Sequence, residues 1–207
     1  MQSTSLRKRA ARAKVALLSI VVGWALLSLW GLTLLWRYES MPGDSAAAPV
    51  QWPSASAIPR HEHAPTLVMF AHPRCPCTRA SIAELERLVT TVGASLRPVV
   101  VFLKPDSVDA GWEQTDLWRT AAAIPGAQVI GDRNGEEARR FGVETSGHAL
   151  LYDDVGQLLY SGGITAARGH QGDNAGRSAL VRLLSQESTD DRALPVFGCP
   201  LSLQCIP

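Results

Sequence analysis

Residues 70–85, Phe-Ala-His-Pro-Arg-Cys-Pro-Cys-Thr-Arg-Ala-Ser-Ile-Ala-Glu-Leu, end a β-like apolar run and open an amphipathic helix, with a cysteine pair at the junction. A thiol in the first turn of a helix faces unpaired N–H groups and the positive end of the helix dipole. Both stabilise the thiolate and lower the cysteine pKa below its free value of about 8.5. Arg74 and Arg79 flank the pair and act in the same direction. Cys75 is therefore the candidate attacking thiolate, exposed at the helix start.

The run before it, Thr66–Ala71, is short and continuously apolar, as in a strand buried on both faces. After it, Ile82, Leu85, Leu88, Val89 and Val92 mark one helix face that stops at Gly93. Pro98–Leu103 reads as a second buried strand. Residues 112–124 read as a helix, Gln128–Gly131 as a short strand, and Asn134 as the cap of a brief helix through Phe141. His148–Tyr152 and Gln157–Tyr160 flank Asp153-Asp154-Val155-Gly156, a hairpin signal, and Asp173 or Asn174 caps a last helix carrying Leu180, Leu183 and Leu184. Early βαβ crossovers and a late hairpin predict an α/β fold: a mixed sheet with helices on its faces.

Upstream, Val15–Trp36 runs 22 residues without a charge. As a helix it would be roughly 33 Å long, enough to cross a bilayer core. The net charge of +1 hides five basic residues before residue 15 (Arg7, Lys8, Arg9, Arg12 and Lys14), which leave −4 for the remainder. Such a balance excludes nucleic acid as the expected partner. By the positive-inside rule the N-terminus is cytoplasmic and residues 37–207 lie outside, on the periplasmic side of a bacterial inner membrane, with residues 15–36 in lipid contact. A cleaved secretory signal, with its cleavage site in Ser45–Ala48, is the alternative. Either way Cys75, Cys77, Cys199 and Cys205 are exported to a compartment where disulfides persist.

The expected organisation is a basic N-terminus (1–14), a transmembrane helix (15–36), a Pro/Ala/Ser-rich tether (37–64), one domain (65–187) and a cysteine-containing tail (188–207). His61 and His63 in the tether read as solvated side chains.

The order of elements, the cysteine after the first strand and the late Leu-Tyr-Asp-Asp-x-Gly-Gln-Leu-Leu segment resemble the thioredoxin-like superfamily over about residues 60–187. Membrane-tethered bacterial members, with their Cys-Pro-Pro-Cys-Arg-Ala-Glu-Met-Pro-Glu-Leu motif, are the most similar, and the chain is similar to RedB-type proteins. Aligned on Glu84-Leu85, the motif puts its first cysteine on Cys75 and its second on Thr78, so Cys-x-x-Cys becomes Cys-x-x-Thr with Cys77 one place early. The family's cis-proline, which pairs with substrate backbone, falls on Gly147, beside Ser146 and His148.

The resemblance implies thiol–disulfide exchange without an organic cofactor, with Thr78 placed to hydrogen-bond the Cys75 thiolate and Gly147 and His148 placed at the substrate. Cys77 or Cys199 would act as the resolving thiol. Four cysteines allow three pairings. Cys199 either pairs with Cys205 and staples the tail, or folds back onto Cys75 or Cys77. His72 and His148 are candidate partners of the thiolate. The expected partner is an exported protein with a disulfide or thiol pair, or a redox partner. Two alternatives stand beside this: a Cu(I)- or Zn-binding module using Cys75, Cys77 and His72 or His148, and a non-catalytic interaction domain with structural disulfides. The polar, glycine-rich stretch 168–176 is either a hydrogen-bonded turn or a ligand loop.

Overall fold

The computed structural model describes residues 2–202, and the chain divides into two compact units after Ser40. The first is a single helix, α1 (Gln2–Ser40), whose stretch Lys14–Ser40 is long and apolar enough to cross a membrane. It continues four residues past Trp36 because nothing in Arg37-Tyr38-Glu39-Ser40 breaks a helix.

The second unit contains β1 (Thr66–Ala71), α2 (Pro76–Val92), β2 (Arg97–Lys104), α3 (Asp116–Ala122), β3 (Gln128–Arg133), α4 (Glu136–Arg140), β4 (His148–Tyr152), β5 (Leu158–Gly163) and α5 (Ala175–Leu184). The sheet order is β3-β2-β1-β4-β5. β1 pairs in parallel with β2, and β2 with β3, whereas β4 joins β1 and β5 antiparallel. This is the mixed sheet the sequence predicts.

β1 lies at the centre with all six residues buried, and alternation sends its side chains to two separate cores. Leu67, Met69 and Ala71 meet Ile82, Leu85 and Leu88 of α2 and Ala179 and Leu180 of α5. Val68 and Phe70 face the other way, toward Phe141, Val143, Leu150 and Tyr152. The end of β1 is thus held rigidly on both sides, which fixes the loop that follows it.

Several elements depart from expectation. Residues 41–65 do not hang free: Trp52 packs edge-on against Phe141 and Tyr152 at 5.1 Å each, and Ile58 is buried. Backbone bonds from Leu158 N to Val50 O and from Trp52 N to Gly156 O, both 2.8 Å, hold this strap along the hairpin. A proline-rich stretch carries no period, but one indole buries enough surface to dock it. The brief helix α4 is capped by Asp132, whose carboxylate accepts from Glu137 N and Ala138 N (2.9 Å each), while Asn134 sits in a left-handed turn at φ 53°. Of the two candidates for α5, Asn174 is the cap, accepting from Arg177 N at 2.7 Å. Residues 112–115 form turns, so α3 starts only at Asp116.

Stretch 168–176 is largely a hydrogen-bonded turn organised by a buried carboxylate. Glu84, inside α2, accepts from Gly172 N (2.7 Å) and pairs with Arg177 (3.1 Å) and Arg87.

Candidate functional site

β1 delivers the chain to His72-Pro73-Arg74, and Cys75 N bonds back to His72 O at 3.2 Å. Cys75 is then the N-cap of α2, in extended conformation, with Pro76 at the first helical position, where a missing N–H costs nothing. Its sulfur therefore lies at the positive end of a 17-residue helix.

That sulfur is bonded to Cys199, 124 residues away, with a Cα–Cα distance of 6.1 Å. Of the pairings open to the sequence, the tail folding back onto Cys75 is the one observed. Cys77 is free and half-buried, and the three sulfur atoms lie within 4.8 Å of one another. Cys205 falls outside the described residues. The expectation of an exposed Cys75 is corrected: the residue is 2% exposed, because the tail to which it is joined covers it.

The tail reaches this point along a defined path. Ser146 N donates to Cys199 O (2.8 Å) and Leu201 N to Glu144 O (2.7 Å), on either side of an antiparallel bridge between Thr145 and Pro200. The Arg168 guanidinium donates to Gly198 O, so this end of the glycine-rich stretch does contribute to the site. Gly147 anchors the receiving segment through its N–H to Phe70 O at 2.7 Å. Its φ is +89°, and a Cβ at this position would lie only 2.7 Å from Ser81 Oγ, which together explain why glycine stands there.

Thr78 does not address the Cys75 sulfur. Its buried hydroxyl lies 2.7 Å from Ser146 Oγ and donates to His72 O at 3.2 Å, and Ser146 Oγ in turn accepts from His72 N at 2.9 Å. This three-residue lock ties the cysteine loop to the segment that receives the tail. In the helix, a Cβ-branched hydroxyl one turn after the N-cap points toward this loop, so Thr78 positions backbone and leaves the sulfur alone.

Neither histidine supplies positive charge to the sulfurs. His72 Nδ1 accepts from Arg74 N (3.1 Å), its ring meets Trp112 edge-on at 5.6 Å, and burial followed by the Arg74 charge lowers its pKa. His148 points into the β4–β5 layer, with Nε2 2.9 Å from Ser161 Oγ, and burial pushes its pKa down to about 4. Arg79 is neutralised by Asp116, while Arg74 lies over the Trp112 ring at 4.9 Å. The start of α2 thus supplies positive potential at Cys75. His61 and His63 are exposed. Ser146, Arg168 and Gly198 are the site residues sequence reasoning did not assign. A glycine directly before a cysteine in an apolar tail was the available signal for the last.

No family model matches the sequence, and no curated protein matches it. Solved structures do. A hypothetical protein of Sinorhizobium meliloti is 20% identical with a TM-score of 0.54, covering 78% of this chain and 93% of its own. An uncharacterized conserved protein of Geobacillus kaustophilus is 17% identical with a TM-score of 0.56, covering 81% of this chain and 95% of its own. At lower overlap, a secreted Mycobacterium tuberculosis disulfide oxidoreductase homologous to E. coli DsbE is 14% identical with a TM-score of 0.42, covering 61% and 83%.

Proposed function

We propose that this chain, whose fold is that of the thioredoxin-like superfamily, is a thiol–disulfide oxidoreductase in which Cys75 attacks and Cys199 resolves. The carrying observation is the Cys75–Cys199 disulfide, which brings a tail cysteine to the start of α2. In the reduced chain the Cys75 thiolate attacks one sulfur of a client disulfide, forming a mixed disulfide and expelling the client's other sulfur as thiolate. Cys199 thiolate then attacks Cys75 Sγ, forming the internal disulfide and releasing the client as a dithiol. Two electrons pass from chain to client. Run in reverse, the internal disulfide oxidises a client dithiol. Cys77 sits within exchange distance of both sulfurs and serves as an alternative resolving thiol.

The N-terminal helix supports an anchored reading: α1 as a single-pass segment with the domain on the periplasmic side of a bacterial inner membrane, its clients exported proteins or a membrane redox partner. Protease accessibility in spheroplasts checks this orientation.

The exchange reading is tested with the full chain in detergent. Cys75→Ser abolishes catalysed reduction of a disulfide substrate, and Cys199→Ser combined with Cys77→Ser accumulates a mixed disulfide on Cys75. A Cys75 pKa at or above about 8.5 refutes activation, as does full activity in Cys75→Ser.

A second reading is favoured by the three clustered sulfurs: on reduction they present a soft ligand set suited to Cu(I). The histidines expected to complete such a site are committed elsewhere. Absence of stoichiometric Cu(I) uptake by the reduced chain removes this reading.

A further inference from the structure

The tail does more than deliver a sulfur. Between residues 192 and 195 it runs beside β5, with Ser161 N to Arg192 O at 2.9 Å, Leu194 N to Ser161 O at 3.2 Å and Gly163 N to Pro195 O at 3.2 Å. It then crosses to residues 144–146, where Cys199 is bracketed by the two backbone bonds from Ser146 and to Glu144. Those bonds read the backbone alone, so any extended cysteine-bearing segment could make them.

Two positions read more than backbone. A Cβ on Gly198 would overlap Ser146 O and lie 2.9 Å from its carbonyl carbon, so the residue before the cysteine has no room for a side chain. Leu201, two residues after the cysteine, is 7% exposed and packs in the core cluster with Ala138, Phe141 and Val143. A cleft of about 730 Å³ lies here, lined by Ala138, Val143, Glu144, Pro200, Leu201 and Ser202 among others. The linker closes over the outer side, with Gly43 N donating to Val196 O (2.8 Å) and Thr145 Oγ1 donating to Asp44 O (2.6 Å).

We propose that residues 198–201 are an internal occupant of the client groove, and that the groove selects extended segments with glycine directly before the reactive cysteine and an apolar side chain two residues after it. This rests on the exchange reading above and names its substrate class. In the internal disulfide the tail blocks the groove. An external client and residues 198–201 therefore exchange places in the groove as the client sulfur and Cys199 exchange on Cys75.

The test uses the full chain in detergent with Cys75 as its single thiol (Cys77→Ser, Cys199→Ser, Cys205→Ser). The probes are peptides Val-Phe-Gly-Cys-Pro-Leu-Ser, copying residues 196–202, activated as the disulfide with thionitrobenzoate. Cys75 thiolate attacks the peptide sulfur, the Cys75–peptide disulfide forms, and thionitrobenzoate leaves as a coloured thiolate. Replacing the peptide's glycine by valine, or its leucine by serine, is expected to slow release by about tenfold or more each. The small symmetric reagent, bis-thionitrobenzoate, is the control. Rapid reaction with that reagent but equal rates, within twofold, for all three peptides overturns the groove while leaving the exchange chemistry standing. No reaction of Cys75 with the small reagent overturns the exchange chemistry instead. As a second measurement independent of that variant, Leu201→Ser in the otherwise native chain is expected to lower the equilibrium constant for closing Cys75–Cys199 in glutathione buffer by about tenfold. A change below twofold refutes the apolar seat.

Discussion

The crosslink between Cys75 and Cys199 makes a sharp thermodynamic prediction. Joining residues 124 apart removes loop entropy from the unfolded chain worth about 5 kcal/mol in the chain-entropy treatment, and measured values usually fall at about 2–4 kcal/mol. A staple between Cys199 and Cys205 would close a ring of about six residues and contribute only about 2 kcal/mol by the same relation. Single substitutions separate the two cases. In a Cys77→Ser/Cys205→Ser background, which blocks substitute pairing, Cys75→Ser and Cys199→Ser should each destabilise the domain by about 2–5 kcal/mol. The double variant should cost no more than either alone, because one bond is lost in all three. Urea unfolding of the full chain in mild detergent, followed by tryptophan fluorescence, reads this directly. Trp52, packed on Phe141 and Tyr152, reports the transition, while Trp24, Trp30 and Trp36 in α1 contribute a constant background. The m-value should rise in the variants, since an unlinked chain exposes more surface on unfolding. Additive losses, or a Cys75→Ser variant as stable as its parent, would refute the assignment.

Stability should also fall in acid through His148. Its folded pKa of about 4 lies below the unfolded value of about 6.5, so between these values the unfolded chain binds the proton and the folded chain does not. The stabilising difference is fully present above pH of about 6.5 and declines toward pH 4, by about 3 kcal/mol for this one group. Urea midpoints of the native chain and His148→Asn, measured from pH 7 to 4.5, should converge toward acid, and parallel curves would refute the buried neutral imidazole. Gly147→Ala should cost about 1–3 kcal/mol through its positive φ and the Ser81 hydroxyl. Adding Ser81→Ala should recover only the steric part, and full recovery would show that the backbone conformation carries no strain.

The sheet was legible because its strands are continuous apolar runs: Thr66–Ala71 and His148–Tyr152 are read from sequence with their observed bounds. The helix behind Cys75 was equally plain, since Pro76 opens it and Gly93 closes it. What sequence did not yield is long-range. Trp52 gives no sign of its partners until Phe141 and Tyr152 are folded beside it, so the strap read as a free tether. Thr78 was assigned to sulfur by motif register, whereas its hydroxyl answers to Ser146, 68 residues on. Cys199 could be paired only once the tail's backbone had found residues 144–146. His148 occupies the position expected at the substrate, but alternation along β4 turns its ring into the sheet's interior layer, toward Ser161.

The stretch beside β5 carries one more consequence. With Arg192 O and Pro195 O accepting from Ser161 N and Gly163 N, and Leu194 N donating to Ser161 O, the C-terminal segment shields backbone groups that would otherwise lie bare on one flank of the sheet. Any event that peels this segment away uncovers a template for a foreign strand. If opening the Cys75–Cys199 bond at the opposite end of the segment releases it, self-association at high concentration is expected to rise in a reducing buffer and fall in an oxidising one.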